Sequence, residues 1–215
     1  RTTPTEDFFL GANRHAHGRH AATITSTSYI DLQVKRYADG DVSDRKRFPD
    51  ARSFTPAGPE LVAAYEDAVS KRAEPSHELT KRYGSLFGAL LHAVKFRPEI
   101  SAALGLCGTC LTICTEELYE CLMGVLAYLG RTRKLGTTFS AHAPEASKLR
   151  AFADANWTTT RSTTGYVIML AGAAIAHASR RQHCISMSSC EAELIALADL
   201  AIELLHVREV LAFLG

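Results

Sequence analysis

The residue types that could do chemistry in this chain are six cysteines, a run of three aspartates and a scatter of histidines. Cys107-Gly-Thr-Cys110 has the C-x-x-C spacing of zinc and dithiol redox motifs. Residues 107, 110 and 114, however, fall at i, i+3 and i+7, the stripe of one helix face. No His and no second C-x-x-C completes four ligands, so small thiols packed in a reduced core are favoured over a zinc or redox site. His177 and His183 beside Cys184 form no zinc set, and His177 reads as a core or edge residue of a hairpin. Asp39, Asp41 and Asp44 start like a calcium loop. Position six of such a loop needs Gly, and Asp44 stands there; Arg45, Lys46 and Arg47 would also repel the cation. There is no G-x-S-x-G elbow for a serine nucleophile and no glycine-rich run before a Lys-Ser/Thr pair to cradle phosphate.

The frame that must position any site is 215 residues long, 47% apolar and 22% charged, with a net charge of +1. That is ordinary globular composition, without the bulk positive charge of a general nucleic-acid binder. The net charge is −1 over residues 1–80, +3 over 81–137 and −1 over 138–215. These three segments are the expected organisation. The longest uncharged stretches, 100–115 and 162–179, fall short of the roughly 20 apolar residues needed to cross a bilayer, and the second is interrupted by Ser, Thr, Gly and His. No transmembrane helix is expected. The chain starts with Arg1 and shows no signal-peptide pattern, so it reads as an internal piece of a longer, non-secreted protein. Free cysteines fit a reducing intracellular compartment.

Periodicity predicts an α+β fold. Residues 7–14 and 22–27 read as two short strands around a Gly/His-rich turn, and 28–37 as a helix with Ile30, Val34 and Tyr37 on one face. Residues 39–59, rich in Asp, Arg, Pro and Gly, read as loop. A helix over 81–94 carries Tyr83, Leu86, Phe87, Leu90, Leu91 and Val94. Pro98 opens another, expected to run to about Ile113. Thr115 caps a third, with Glu116 and Glu117 favoured by the dipole, ending near Gly130. Residues 148–157 read as a strand, and 164–170 with 174–179 as a hairpin. Ser188 and Glu191 form a capping box for a helix reaching Leu214.

Several segments resemble one family. Tyr83 to Ile100, YGSLFGALLHAVKFRPEI, resembles the Y-x-S-x-x-G-x-L-x-Y-x-x-x-x-R-P-D-I segment of copia-type LTR-retrotransposon Pol polyproteins, which follows the reverse-transcriptase palm. Phe152 to Asn156, FADAN, resembles the S-D-A-D-W opening of their RNase H domain. Arg161 to Tyr166, RSTTGY, matches R-S-T-[ST]-G-Y, and Ser188 to Leu197, SSCEAELIAL, matches S-S-T-E-A-E-Y-I-A-L. Phe9-Leu10-Gly11, Thr23-Ile24-Thr25 and Tyr29-Ile30 resemble upstream segments. The motifs stand in family order over nearly the whole chain.

The resemblance implies three regions: a post-palm reverse-transcriptase segment over 1–80, a helical thumb-like region over 81–137, and the first half of an RNase H-like β-β-β-α unit over 138–215. It also implies cleavage of the RNA strand of an RNA–DNA hybrid by two magnesium ions, Mg2+, held on clustered carboxylates. Asp154 on the first strand and Glu193 on the first helix match the first two of these and would be the catalytic and metal-binding residues. Asn156 replaces the second Asp of the motif, and only Thr158, Thr159 and Thr160 separate Trp157 from Arg161. The family's third and fourth carboxylates are expected beyond Gly215, and its Y-x-D-D motif before residue 1. Tyr37-Ala38-Asp39-Gly40 is not that motif, because it follows the post-palm strands. The expectation is therefore a partial site and an isolated chain without activity. The alternative is a non-catalytic remnant that acts as a nucleic-acid-binding or structural module. The implied partners are an RNA–DNA hybrid and the rest of the polyprotein. Lys81, Arg82, Arg97, Arg131, Arg133 and Lys134 are the candidate phosphate contacts. Without a fourth strand, the first RNase H strand is expected to expose an edge open to self-association.

Overall fold

The computed structural model describes residues 6–9, 11–38 and 55–214. The acidic run at 39–44 and most of the expected loop lie outside them. Seven strands and six α-helices are described, a mixed α+β fold: β1 Glu6–Phe9, β2 Ala12–Ala16, β3 Ala21–Thr25, α1 Thr27–Ala38, α2 Pro59–Lys71, α3 His77–Ala93, α4 Ser101–Thr109, α5 Glu116–Arg131, β4 Thr137–Ser140, β5 Arg150–Asn156, β6 Thr163–Leu170, β7 Ala173–Arg181 and α6 Ser189–Leu214. β1 pairs antiparallel with β2, and a separate sheet has the order β5-β6-β7. The chain divides into two compact units, one of residues 1–17 and 23–137, the other of 18–22 and 138–215.

The first unit is built around helices. Ile30 and Val34 from α1, Leu61 and Ala68 from α2, Tyr83, Leu86 and Leu90 from α3, and Leu118, Leu122, Met123 and Leu126 from α5 share one buried cluster. Cys107, Cys110 and Cys114 are buried in it, none of them in a disulfide. Local chemistry sets the helix starts. The Ser76 hydroxyl accepts from Leu79 N–H to open α3, and the Thr115 hydroxyl accepts from Leu118 N–H to open α5.

Four expectations change here. The strand expected at 7–14 is a hairpin, β1 and β2, because Phe9 pairs with Ala12 and Gly11 takes φ +85°, a conformation that glycine adopts at no steric cost. The helix opened by Pro98 begins as a 3-10 turn, Pro98–Ile100, and ends at Thr109, four residues early. Its last turn tightens as Cys110 N–H donates to the Cys107 carbonyl, and Ile113 N–H to the Cys110 carbonyl. Helix α2 was not anticipated; Pro59 at its first turn looked like loop composition and instead starts the helix. Strand β4 was also not anticipated.

The second unit has three antiparallel strands. Asp154 pairs with Gly165 and Ala155 with Thr164 between β5 and β6, while Thr164 pairs with Arg180 between β6 and β7. The β6–β7 turn is two residues, Ala171 and Gly172, both at positive φ, as type I′ hairpins require. Helix α6 starts on the expected capping box: Glu191 N–H donates to the Ser188 hydroxyl, and the Glu191 carboxylate accepts from Met187 N–H.

Candidate functional site

The matched motifs of the second unit meet at one end of its sheet, and most of them prove to hold the fold. In the RSTTGY segment, Ser162 and Thr164 are fully buried. The Ser162 hydroxyl accepts from Thr158 N–H and shares a hydrogen bond of 2.9 Å with the Ser186 hydroxyl. Trp157 Nε1–H donates to the Ser186 carbonyl, so the short loop after β5 is tied to the segment leading into α6. Gln182, buried between β7 and α6, donates from Nε2 to the Thr164 hydroxyl at 3.2 Å and to the Ala192 carbonyl at 2.9 Å. That side chain fixes the first turn of α6 onto the sheet. Sequence reasoning missed Gln182; its one signal was a lone amide between a strand and a capping box.

These bonds decide which face the helix covers. Directly paired residues of an antiparallel sheet share a face, and successive residues alternate. Thr164, tied to α6 through Gln182, faces the same way as its partner Ala155. Tyr166, opposite Ala153, has its hydroxyl pKa raised by burial first and then by Glu203 of α6. Arg180, opposite Thr164, pairs with Asp199 of α6 at 3.2 Å. Helix α6 therefore lies over the face of Ala151, Ala153 and Ala155. Residues Arg150, Phe152, Asp154 and Asn156 occupy the other face, and all four are exposed.

Asp154 is thus next to the residue whose partner is bridged to Ala192, on the face away from α6. Glu193 is half-buried on α6, one residue after Ala192. Both sit at the same end of the unit, with Asp154 on the exposed face of the sheet. Among the described residues no group of three or more His, Cys, Asp or Glu is placed to hold a metal ion. A two-ion centre needs several oxygen ligands that converge from one side. The residues present here do not fit one, and no catalytic step is derived through magnesium.

The basic residues are also sorted by the structure. Arg97 is a correction: it is 1% exposed, its guanidinium donates to the Thr132 carbonyl at 3.1 Å, to the Thr132 hydroxyl at 2.7 Å and to Glu99 at 2.6 Å, and it lies 5.5 Å from the Tyr128 ring centre. With three of its five N–H groups engaged and its side chain buried, this arginine is not presented to a phosphate. Arg82 is exposed, stacked over Tyr119 at 4.5 Å and 3.6 Å from Glu116. Arg133 is exposed and 3.7 Å from Asp31. Lys81 and Lys134 are exposed, and Arg131 is half-buried. Among the described residues no helix is long and apolar enough to cross a membrane.

No protein-family model matches the chain, and no solved structure matches it significantly. Curated proteins do. The chain is 31% identical over 138 residues to the Retrovirus-related Pol polyprotein from transposon TNT 1-94 of Nicotiana tabacum, covering 62% of this chain and 10% of that protein. It is 29% identical over 206 residues to the Retrovirus-related Pol polyprotein from transposon RE2 of Arabidopsis thaliana, covering 87% of this chain and 13% of that protein. It is 31% identical over 122 residues to Secreted RxLR effector protein 161 of Plasmopara viticola, covering 54% of this chain and 84% of that protein. The chain thus spans only about a tenth of the length of the two transposon proteins.

Proposed function

The chain belongs to the retrovirus-related Pol polyproteins of copia-type transposons, and on that premise we propose that it joins the end of a reverse transcriptase to the first half of an RNase H-like domain. The parent polyprotein, on this reading, copies RNA into DNA and cleaves the RNA of the resulting hybrid. The observation that carries the reading is the β5-β6-β7-α6 unit, with FADAN on its first strand, RSTTGY entering its second and SSCEAELIAL opening its helix. In it Asp154 and Glu193 occupy the positions of the family's first two carboxylates; by themselves they form no metal centre, and no metal-dependent step is assigned to this chain. Lys81, Arg82, Arg131, Arg133 and Lys134 contribute phosphate contacts to the hybrid. The ion pairs of Arg82 and Arg133 are solvent-exposed, so little is lost when a phosphate replaces the carboxylate.

The same geometry favours a chain that does not cut by itself. The test is magnesium-dependent cleavage of an end-labelled RNA–DNA hybrid by the purified 215-residue chain, beside its Asp154→Asn variant. Neither should cleave above background. Cleavage by the unmodified chain that disappears in Asp154→Asn would show that two carboxylates suffice. Hybrid binding is measured separately against salt concentration. Reversing Lys81 and Lys134 to Glu should weaken binding and flatten the salt slope by roughly one unit for each phosphate-bound cation removed. An unchanged slope would remove these cations from the interface.

A further inference from the structure

We infer that His20 and His142 form a two-histidine site for a divalent transition-metal ion, with zinc the expected occupant. The two residues belong to the same unit, although 122 positions separate them in the chain. Their ring centres are 5.3 Å apart and the rings are inclined at 58°. With zinc–nitrogen bonds of about 2.0–2.1 Å and a ring centre about 1.2 Å behind each nitrogen, two imidazoles on one tetrahedral ion have centres about 5.2 Å apart. The observed spacing matches two ligands on one ion, and it also lies within the roughly 4.5–7 Å of an ordinary tilted ring pair, so metal titration decides between the two.

The backbone on both sides is held in place. Ala141 N–H donates to the His20 carbonyl at 2.8 Å, which locks the two chain segments beside each other. Residues 140–143 form a turn in which Ala143 N–H donates to the Ser140 carbonyl and His142 N–H to the Ser140 hydroxyl. That turn is itself anchored by Ser140 N–H, which donates to the Ala171 carbonyl in the β6–β7 hairpin. The two backbone segments are thus held side by side, with the rings of His20 and His142 adjacent. Both histidines are exposed, so the ion can enter directly from solvent and water can fill its remaining positions. Neutral imidazole is a borderline ligand that suits zinc, copper and nickel, whereas magnesium and calcium prefer oxygen. The site is thus chemically distinct from any carboxylate centre and does not depend on the proposed function.

The experiment is calorimetric titration of the full chain with Zn2+, carried out in a Cys184→Ser/Cys190→Ser background so that the two exposed thiols do not compete. One ion should bind per chain. His20→Ala and His142→Ala should each weaken it by roughly tenfold or more, because each leaves a single imidazole. The imidazole proton resonances provide a readout that does not depend on substitution: Zn2+ should shift those of His20 and His142 first. Affinity unchanged in both variants, or shifts spread evenly over the other seven histidines, would overturn the site. Equal shifts with Mg2+ would overturn its selectivity.

Discussion

Arg97 and Thr132 are joined twice, through the carbonyl and through the hydroxyl of the threonine, at a point where α5 has just ended. The Thr132 hydroxyl also donates to the Tyr128 carbonyl one turn back, so a single residue terminates the helix and receives the arginine. A fixed positive charge beside the orphan carbonyls of a helix C-terminus is stabilised by the dipole, and Glu99 balances it. Removing it takes the donor from both Thr132 oxygens and leaves the exposed Glu99 carboxylate with the Tyr128 hydroxyl at 3.4 Å. Arg97→Ala is expected to destabilise the first unit by about 1–3 kcal/mol, the order seen when a buried hydrogen-bonding group loses its partner. Arg97→Lys should recover only part, since an ammonium cannot span both Thr132 oxygens and Glu99. Urea unfolding measures both; a loss within about 0.5 kcal/mol, the scale of an ordinary surface change, would contradict the clamp.

The hairpin turn at 171–172 predicts a gain. Ala171 is held at φ +53°, where its Cβ crowds the backbone, and only the following residue is glycine. Ala171→Asn restores the Asn-Gly pair that type I′ turns prefer, and it should stabilise the second unit by about 0.5–1 kcal/mol. The backbone bonds of residue 171, to Ala146 and Ser140, do not involve its side chain and should survive. Thermal unfolding of the variant should shift upward; a downward shift would mean that the asparagine meets something the alanine does not.

Thiol reactivity should divide by unit. Burial pushes the Cys107 thiol up to about 12, and burial followed by nearby Glu60, Glu120 and Glu117 pushes Cys121 up to about 11. Both stay protonated at pH 8, while Cys184 and Cys190 are exposed. Iodoacetamide at pH 8 should therefore label 184 and 190 and leave 107 unmodified, as read by peptide mass spectrometry. A thiol whose pKa is raised on folding contributes its stability fully below the ordinary value of 9.0, and loses it as pH rises through about 12. The first unit should weaken across that window, and fluorescence-monitored unfolding from pH 8 to 11 should show a falling midpoint.

The order β5-β6-β7 leaves β5 at the edge of its sheet, with β6 its partner there. Phe152 is 48% exposed on the face opposite α6. An edge carrying an exposed aromatic is open to pairing with another chain. Amides around Phe152 are expected to exchange faster than those around Leu90, which is buried in α3, and the chain is expected to self-associate as concentration rises. Sedimentation together with residue-resolved hydrogen exchange checks both. A monomer in which β5 is as protected as α3 would refute them.

Residues with a local signature could be read without the structure. The caps at Thr115 and Ser188 are legible because a hydroxyl at a helix start satisfies an amide three residues on. The β6–β7 hairpin is legible because its turn residues sit between apolar runs, and the three thiols at 107, 110 and 114 because a helical stripe of small apolar groups belongs in a core. The family itself is written in motif order along the chain. What tertiary structure alone decided involves partners far apart in sequence. Arg97 looked like every other cation of its region until Thr132, 35 residues away, claimed its donors. The alternation of β5 was visible, but which of its faces α6 covers was not. That choice rests on Gln182, Thr164 and Ala192 meeting, and it turned Asp154 to the exposed face. Sequence spacing fixes which side chains share one face of one element; which face is then covered depends on long-range burial and on pairing every buried polar atom, and only the folded chain satisfies these together.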